Sequence, residues 1–333
     1  SDFDFEGSNM SILIDVLAYN TYLTAFNSNM VANESFLDSA TLRENVVSLA
    51  RNIGYVPRSR KAAQAIVDFP FKFNGNSTTV TLKKGLVAVG GVENTSFVFS
   101  IPEDVTVTSP IDAGGVAGAN PPRTATFSGL TLYQGTLLTK SWVVNGNSDQ
   151  RFLIENSNVD IDTLKVDVRK SGASAGLSFS KVDNIIAVTE KSNIFLIQEA
   201  PNETYELLFG DGLFGTKLEV GDTINISYIV TDGRFGNEGK NFAFSGDVQD
   251  DANNSIASTN VVQITTTQTA RNGSDIESID SIRYFAPRMY SAQNRAVTPR
   301  DYEAIIQDIY PNTESVSVVG GEELDPPEFG TVV

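Results

Sequence analysis

From Ile12 to Met30 apolar side chains recur as Ile12, Val16, Tyr19, Leu23, Phe26 and Met30, an alternation of four and three that holds one stripe of a helix toward a partner. Leu37-Asp38-Ser39-Ala40 interrupts the pattern. Thr41-Leu42-Arg43-Glu44 then reads as a capping box, the threonine oxygen and the Glu44 carboxylate each satisfying a free backbone donor. Leu42, Val46, Leu49 and Ile53 repeat the spacing up to Gly54, which can take the left-handed conformation that ends a helix, and Pro57, which cannot continue one. Beyond Arg58-Ser59-Arg60-Lys61 the period drops from helical to two. A chain that carries both periods in separate blocks is predicted to be α+β, opening with a helical hairpin over residues 1–64.

The later blocks follow from the same reading. Ala65, Val67, Phe69, Phe71 and Phe73 alternate, Asn74-Gly75-Asn76-Ser77 is turn chemistry, and Val80 and Leu82 fall on a returning strand, so a hairpin is expected there. From about Ser100 to Arg123 the sequence loses periodicity and gains Gly114-Gly115 and Pro121-Pro122, so the stretch, with 112–123 at its end, reads as a surface loop or small insertion. Strands resume at Leu130, Trp142, Phe152 and Leu164, and again at 185–188, 194–198, 205–209 and 224–230. With no helical crossovers between them, two antiparallel β-rich domains are expected, 65–170 and 171–250, the second containing the Phe209-Gly210-Asp211-Gly212 turn. The polar run Asp247 to Asn260 reads as a linker. A mixed helix and strand part, 251–333, completes the chain. In it Ser274-Asp275-Ile276-Glu277 and Thr298-Pro299-Arg300-Asp301 are helix starts, Pro287 and Pro311 are stops, and 316–319 is a strand. The absence of an initial methionine and a final segment resembling a strand cut short lead us to expect further sequence on both sides.

Composition removes several classes of function. The 333 residues include no cysteine and no histidine, so there is no thiol nucleophile, thiolate zinc site or imidazole base. A formal charge of −17, from 24 basic and 41 acidic residues, disfavours contact with nucleic acid, whose phosphates require clustered Lys and Arg. No apolar run is long enough to span a bilayer, and the acidic start is unlike a signal peptide.

Two short motifs invite chemistry that their surroundings do not support. Gly210-Asp211-Gly212-Leu213-Phe214-Gly215 matches G-x-G-x-x-G, but Lys217 to Asp222 leads to another strand where pyrophosphate binding needs a helix N-terminus. Gly172-Ala173-Ser174-Ala175-Gly176 matches G-x-S-x-G without a histidine to take the serine proton. The acids at 247–251 and 322–325 lack the spacing of a calcium loop. No catalytic, cofactor-binding or metal-binding residue is assigned, and the chain is not read as an enzyme. Two candidate surfaces remain. The seam Ile12, Val16, Tyr19, Leu23, Phe26 and Met30 is a candidate for self-association, unless it packs on Leu42, Val46, Leu49 and Ile53 of the next helix. The short basic patch Arg58, Arg60 and Lys61 is a candidate contact for an acidic partner.

Several longer segments resemble the baseplate J-like family of contractile phage tails, above all its inner wedge members in T-even-type phages. They are Leu17-Ala18-Tyr19-Asn20, Met30-Val31-Ala32-Asn33-Glu34, Phe36-Leu37-Asp38 and Gly54-Tyr55-Val56-Pro57-Arg58-Ser59 at the start. Tyr205 to Gly212 follows, with Gly215, Leu218, Gly221-Asp222 and Ile224. Asp275 to Ile279, Ile282-Arg283, Ala286-Pro287 and Gln293 to Thr298 with Asp301-Tyr302 form a third group. The order is collinear over nearly the whole chain, and only 112–123 has no match.

The resemblance implies a non-catalytic virion protein without cofactor, assembled in the host cytoplasm and resident in the tail baseplate. It implies a homodimer or higher ring, contacts with other wedge proteins and with the central hub, and a part in the baseplate's conformational change. It implies no nucleic-acid or membrane partner. The alternative from another class is a non-catalytic β-rich module for host or glycan recognition. That reading would need an exposed aromatic platform, for which the single Trp142 gives little material.

Overall fold

The computed structural model describes residues 9–113, 118, 120–147, 149–182, 188–292, 295–310 and 316–328. Gly114-Gly115, most of the expected strand at 185–188, Gln293-Asn294, Pro311 and the end segment 329–333 therefore lie outside the described residues. The chain is α+β and divides into two compact units. One holds the described residues up to 57, 278–305 and from 318 on. The other holds 58–277 and the described part of 306–317.

The helices are α1 (Asn9–Glu34), α2 (Arg43–Asn52), α3 (Ile279–Ala292) and α4 (Pro299–Ile309). Val46, Val47 and Ala50, one face of α2, bury against Ile282 and Ala286 of α3, and Ala40 and Tyr55 close the cluster. Residues of α1 are not among its members, so the expected hairpin of α1 on α2 is corrected: α2 takes a partner some 230 residues further along. The end of α2 is as its sequence predicts. Gly54 (φ 82°) turns the chain, its N–H reaching Arg51 O at 2.9 Å while Tyr55 N–H reaches Ala50 O at 3.0 Å, the paired closure of a Schellman motif.

Two expected helix signals behave differently from their reading. Ser274 sits in a bridge with Lys61, and the start of α3 is capped by Ser278, whose Oγ accepts Ser281 N–H at 3.2 Å. Pro287 does not close α3, which continues to Ala292 because Ile282 and Ala286, on the preceding turns, are fixed by packing. The α4 start does follow its sequence. Thr298 N–H donates to the Asp301 carboxylate at 2.8 Å and Asp301 N–H returns to Thr298 Oγ1 at 3.3 Å. Residues 316–319, expected as a strand, are irregular.

The second unit contains β1 (Gln64–Asn74), β2 (Thr79–Leu82), β3 (Gly85–Val92), β4 (Thr95–Ile101), β5 (Val105–Thr108) and β6 (Pro122–Gln134). Then come β7 (Thr136–Val143), β8 (Phe152–Ile154), β9 (Val159–Arg169), β10 (Leu177–Lys181), β11 (Ile194–Ala200), β12 (Thr204–Phe209) and β13 (Thr223–Val230). It ends with β14 (Lys240–Phe244), β15 (Val248–Gln249), β16 (Ser255–Ile256) and β17 (Thr265–Arg271). A six-stranded sheet runs β14-β3-β4-β6-β1-β17, and a four-stranded sheet runs β16-β15-β2-β5. They share one core. Ala65, Val67, Phe69, Phe71 and Phe73 point inward from β1, as their alternation predicts, and meet Val80, Leu82 and Val248 from the smaller sheet. The expected β1–β2 hairpin is not formed. β1 pairs with β6 and β17, and β2 crosses to the opposing sheet, where β5 and β15 flank it. The run 247–260 is likewise no linker, since it supplies β15 and β16, and the stretch 100–123 is no loop throughout, since Val105–Thr108 pairs with β2 as β5.

A seven-stranded sheet, β7-β13-β9-β10-β11-β12-β8, surrounds a second core in which Val166, Val168, Tyr205, Leu207, Ile224 and Ile226 are buried. Among the described strand pairs all are antiparallel except β10 with β11. Strands from both sides of residue 170 share this sheet, and β14 and β17 return to the first one. Two consecutive β domains divided at 170 therefore do not describe the sheets: the span β7 to β13 is inserted between β6 and β14.

Polar groups tie together the two points where the chain passes between these sheets. Gln134 Oε1 accepts Thr231 Oγ1–H at 2.5 Å and Asp232 N–H at 3.0 Å, and its Nε2 donates to Asp232 at 2.9 Å. Ala63 O accepts Gln134 N–H at 2.8 Å, and Ala62 N–H donates to the buried Asp160 carboxylate at 2.8 Å. Burial pushes the Asp160 carboxyl up to about 6, against the two backbone donors that favour its charge. Gly135 (φ 131°) makes the crossing, and a Cβ there would lie 2.2 Å from Val230 O. Gly135→Ala is expected to destabilise this unit by more than about 1 kcal/mol, read as a lower urea midpoint with unchanged slope.

Candidate assembly surface

Among the described residues, helix α1 is uncovered over nearly its whole length. Ile12, Val16, Tyr19 and Phe26 of the seam are between 55% and 65% exposed, and Leu23 and Met30 are 38% and 41% exposed. Leu13, Ile14, Leu17, Tyr22 and Val31 are exposed as well. Leu13 and Leu17 already widen the stripe past one seam in the sequence, and the helix is apolar around its circumference. That is a composition normally found in buried helices. Its only charged residues are Asp15 and Glu34. No helix among the described residues is long and apolar enough to cross a membrane.

Three hydroxyls of α1, and that of Ser35 just beyond it, are bonded to the helix's own carbonyls, which the apolar spacing alone did not reveal. Thr21 Oγ1 donates to Leu17 O at 2.8 Å, Thr24 Oγ1 to Asn20 O at 2.8 Å, Ser28 Oγ to Thr24 O at 2.8 Å and Ser35 Oγ to Val31 O at 2.7 Å. Each hydroxyl is satisfied within the helix, so a surface laid over α1 leaves none of the four unpaired.

The corner after α1 is fixed by one carboxylate. Glu34 accepts Thr41 N–H at 2.8 Å, Thr41 Oγ1–H at 2.6 Å, Leu42 N–H at 3.3 Å and Asn45 Nδ2–H at 2.7 Å. The N-terminus of α2 is therefore served by Glu34 from the preceding helix, and the expected Thr41/Glu44 capping box is corrected: Leu42 occupies the cap position without a side-chain bond. On the other side of the corner the Arg283 guanidinium donates to Leu37 O at 3.2 Å and to Ala40 O.

Those donors, the Thr41 hydroxyl first and Asn45 next, hold the Glu34 carboxyl at about 2, below the ordinary 4.5. A depressed carboxyl contributes stability that is present above the unfolded value and lost as pH falls toward the folded one. Amide protection at Thr41 and Leu42 is therefore expected to decline between about pH 4.5 and 2. Glu34→Gln should lower that protection at neutral pH and flatten its pH dependence in hydrogen-exchange measurements.

The basic patch is differently placed. Arg58 N–H donates to the buried Glu277 carboxylate at 2.9 Å, with the guanidinium 3.5 Å from its other oxygen. Lys61 pairs with Asp162 at 3.0 Å. Arg60 is half-buried, its methylenes close to Gly233. All three thus lie in a segment bound into the second unit, and two of the charges face internal carboxylates.

The glycine motifs are turns. Asp211 accepts Leu213 and Phe214 N–H, each at 2.9 Å, and a Cβ on Gly210 would lie 2.4 Å from the Gly215 carbonyl carbon. These N–H groups, Phe214's foremost, hold the Asp211 carboxyl below its ordinary range. Asp222, in the Gly221-Asp222 pair, has a buried side chain. Burial pushes its carboxyl up, but Glu219 N–H at 2.9 Å, Lys170 Nζ at 2.9 Å and Ser171 N–H at 3.1 Å outweigh this and hold it low. The signature acids therefore support loops. Ser174, the elbow-like serine, lies in the exposed loop preceding β10.

Comparison with known proteins adds to this geometry. Residues 1–55 match a family model described as baseplate wedge protein gp6-like, helical domain, and residues 298–333 match one described as baseplate structural protein gp6, C-terminal domain I. Baseplate wedge protein gp6 of Enterobacteria phage T4 is 26% identical over 332 residues, an alignment covering 92% of this chain and 46% of that protein. The chain thus spans less than half the length of this relative. A chain of the anti-feeding prophage baseplate, solved by cryo-EM with six-fold symmetrisation, aligns at 14% identity over 98% of this chain and 61% of its own. Its TM-score of 0.28 is too low to compare the two arrangements. At both ends the chain is therefore similar to gp6-like baseplate wedge proteins, and between them it aligns with a protein of that name.

Proposed function

We propose that the chain is a structural, non-catalytic part of the baseplate wedge of a contractile phage tail, assembled in the host cytoplasm and resident in the virion. The observation that carries this reading beyond the sequence likeness is α1. A 26-residue helix, apolar all round, uncovered among the described residues and with its Thr21, Thr24 and Ser28 hydroxyls bonded to its own backbone, has the properties of an assembly element. It is also almost free of charge in a chain at −17, so it is where two acidic copies can approach. The finer reading is that Ile12, Val16, Tyr19, Leu23, Phe26 and Met30 meet a second copy. That contact, seam on seam, closes at a dimer, and such dimers, together with other wedge proteins, would link wedges into a ring around the central hub. Arg58, Arg60 and Lys61 remain a candidate contact, weakened by the internal pairing of Arg58 and Lys61. Kinship with the wider baseplate J-like family is part of the same proposal.

Immunogold electron microscopy of purified virions, with antibody raised against this chain, tests the location. Label concentrated at the tail end away from the head is expected. Virions that carry no label, or carry it on head or fibres, would overturn the reading.

A further inference from the structure

Asparagine is followed by glycine at three places, Asn74-Gly75, Asn145-Gly146 and Asn272-Gly273. In such a pair the glycine nitrogen can attack the carbonyl carbon of the asparagine side chain, since no Cβ on the second residue obstructs the approach. As sequence the three are equivalent. They differ in what each glycine nitrogen is bonded to.

Gly75 N–H donates to Pro121 O at 3.1 Å, just past the end of β1, where Asn74 is paired with Pro122 of β6. Gly273 is buried, and its N–H donates to Asn237 Oδ1 at 2.8 Å while Asn237 Nδ2 donates to Gly273 O at 3.0 Å. Neither nitrogen reaches its asparagine without breaking these bonds. Gly146 N–H has no partner among the described residues, and Asn145, Gly146 and Asn147 are all exposed.

Asn145 is also held in a shape that favours attack. Its Oδ1 accepts Asn147 N–H at 2.9 Å, an Asx turn that folds the carboxamide back on the main chain that follows it. That donor polarises the side-chain carbonyl and faces the oxygen on which negative charge develops as the nitrogen adds. Asn145 N–H donates to Gln150 Oε1 at 2.9 Å and Val144 N–H to Asp222 O at 2.9 Å, so the chain entering the turn is fixed just beyond β7. Groups placed in this way give up little freedom on reaching the transition state.

We propose that Asn145 is a site of spontaneous deamidation, converted through a succinimide to aspartate and isoaspartate while Asn74 and Asn272 persist. The Gly146 nitrogen gives its proton to solvent base and bonds to Asn145 Cγ; the Cγ–Nδ2 bond breaks and ammonia leaves. Water then opens the ring at either carbonyl, so an amide is exchanged for a carboxylate. In the isoaspartate product the main chain runs through the former side chain and is longer by a methylene. Each conversion adds negative charge to a chain already at −17. The reaction does not rest on the wedge assignment.

Peptide mapping by mass spectrometry, on the full chain held folded in mildly alkaline buffer, tests this. Deamidation at Asn145 is expected to be about tenfold or more faster than at Asn74 or Asn272, which react only through local opening. In the same buffer with urea the three rates should converge, because the hydrogen bonds that distinguish them are gone. Asn145 reacting no faster than the other two in the folded chain would overturn the proposal. So would an unchanged ranking in urea, which would place the cause in the flanking sequence. Asn237→Ala should speed the reaction at Asn272 and leave Asn74 and Asn145 as they were, the Asn74 rate reporting that the sheet stays folded. A rate at Asn272 that does not move would remove the role given to the glycine hydrogen bond and overturn the proposal as well.

Discussion

The natural chain is expected to sediment as a dimer, and a chain carrying glutamate at both Leu23 and Phe26 as a monomer with its β-sheet signal and melting temperature unchanged. The two positions are three apart, so they are neighbours on one face of α1. Each fully buried side chain of this size contributes about 1.5–3 kcal/mol, an upper range because unfolded chains already hide some surface. Replacing them removes that gain and sets carboxylates against one another in the contact, where like charges cost several kcal/mol. The fold should not notice, because the core of the first unit is built from α2, α3 and the corner residues. Sedimentation equilibrium over about a hundredfold concentration range, at moderate and high salt, reads the result. High salt should leave the natural dimer intact or favour it, since it screens acidic repulsion and does not weaken apolar burial. An unchanged mass for the double variant would sink the α1 interface, and a natural chain monomeric throughout would sink self-association by these residues altogether.

Phe69→Ala is expected to be the most damaging single change in the first β core, at about 3–5 kcal/mol. Phe69 is 1% exposed on β1, stacked on Phe127 of β6 at 4.9 Å between ring centroids and tilted against Phe244 of β14 at 5.3 Å. It therefore touches strands from both sides of the inserted sheet, and the cavity left by alanine would be bounded by β-sheet backbone that cannot collapse freely. For a unit of this size the loss corresponds to a melting temperature lower by roughly 10 °C. Thermal unfolding followed by circular dichroism reads it. A shift of a degree or two would mean that the Phe127 and Phe244 rings close over the gap.

Local signals were legible wherever one residue or one short spacing decides the outcome. The alternation of β1, the Gly54 stop and the Thr298-Pro299 helix start each appear as read, because a pleat, a positive φ and a proline at the first helical position all act within a few residues. Signals that depend on competition misled. Thr41 had a nearby glutamate at Glu44 as its sequence-level partner, yet Glu34, on the preceding helix, takes its N–H and hydroxyl. Val80 and Leu82 follow a good turn, yet the 13-residue β6 offers β1 a longer partner than four-residue β2 could.

The candidate surface divides in the same manner. Sequence identified the apolar seam of α1, and the order of the signature segments pointed to the baseplate family. It did not reveal whether α2 covers that seam. Tertiary structure decided this by giving α2 to α3, which leaves α1 without an intrachain neighbour in the core cluster. It also decided that strands β7 to β13 form an insertion. The physical reason is common to all of these. Periodicity and capping are set by a residue's near neighbours along the chain. Which apolar face stays exposed depends on which distant face is available to cover it, and that is settled only when all the elements compete for the same partners.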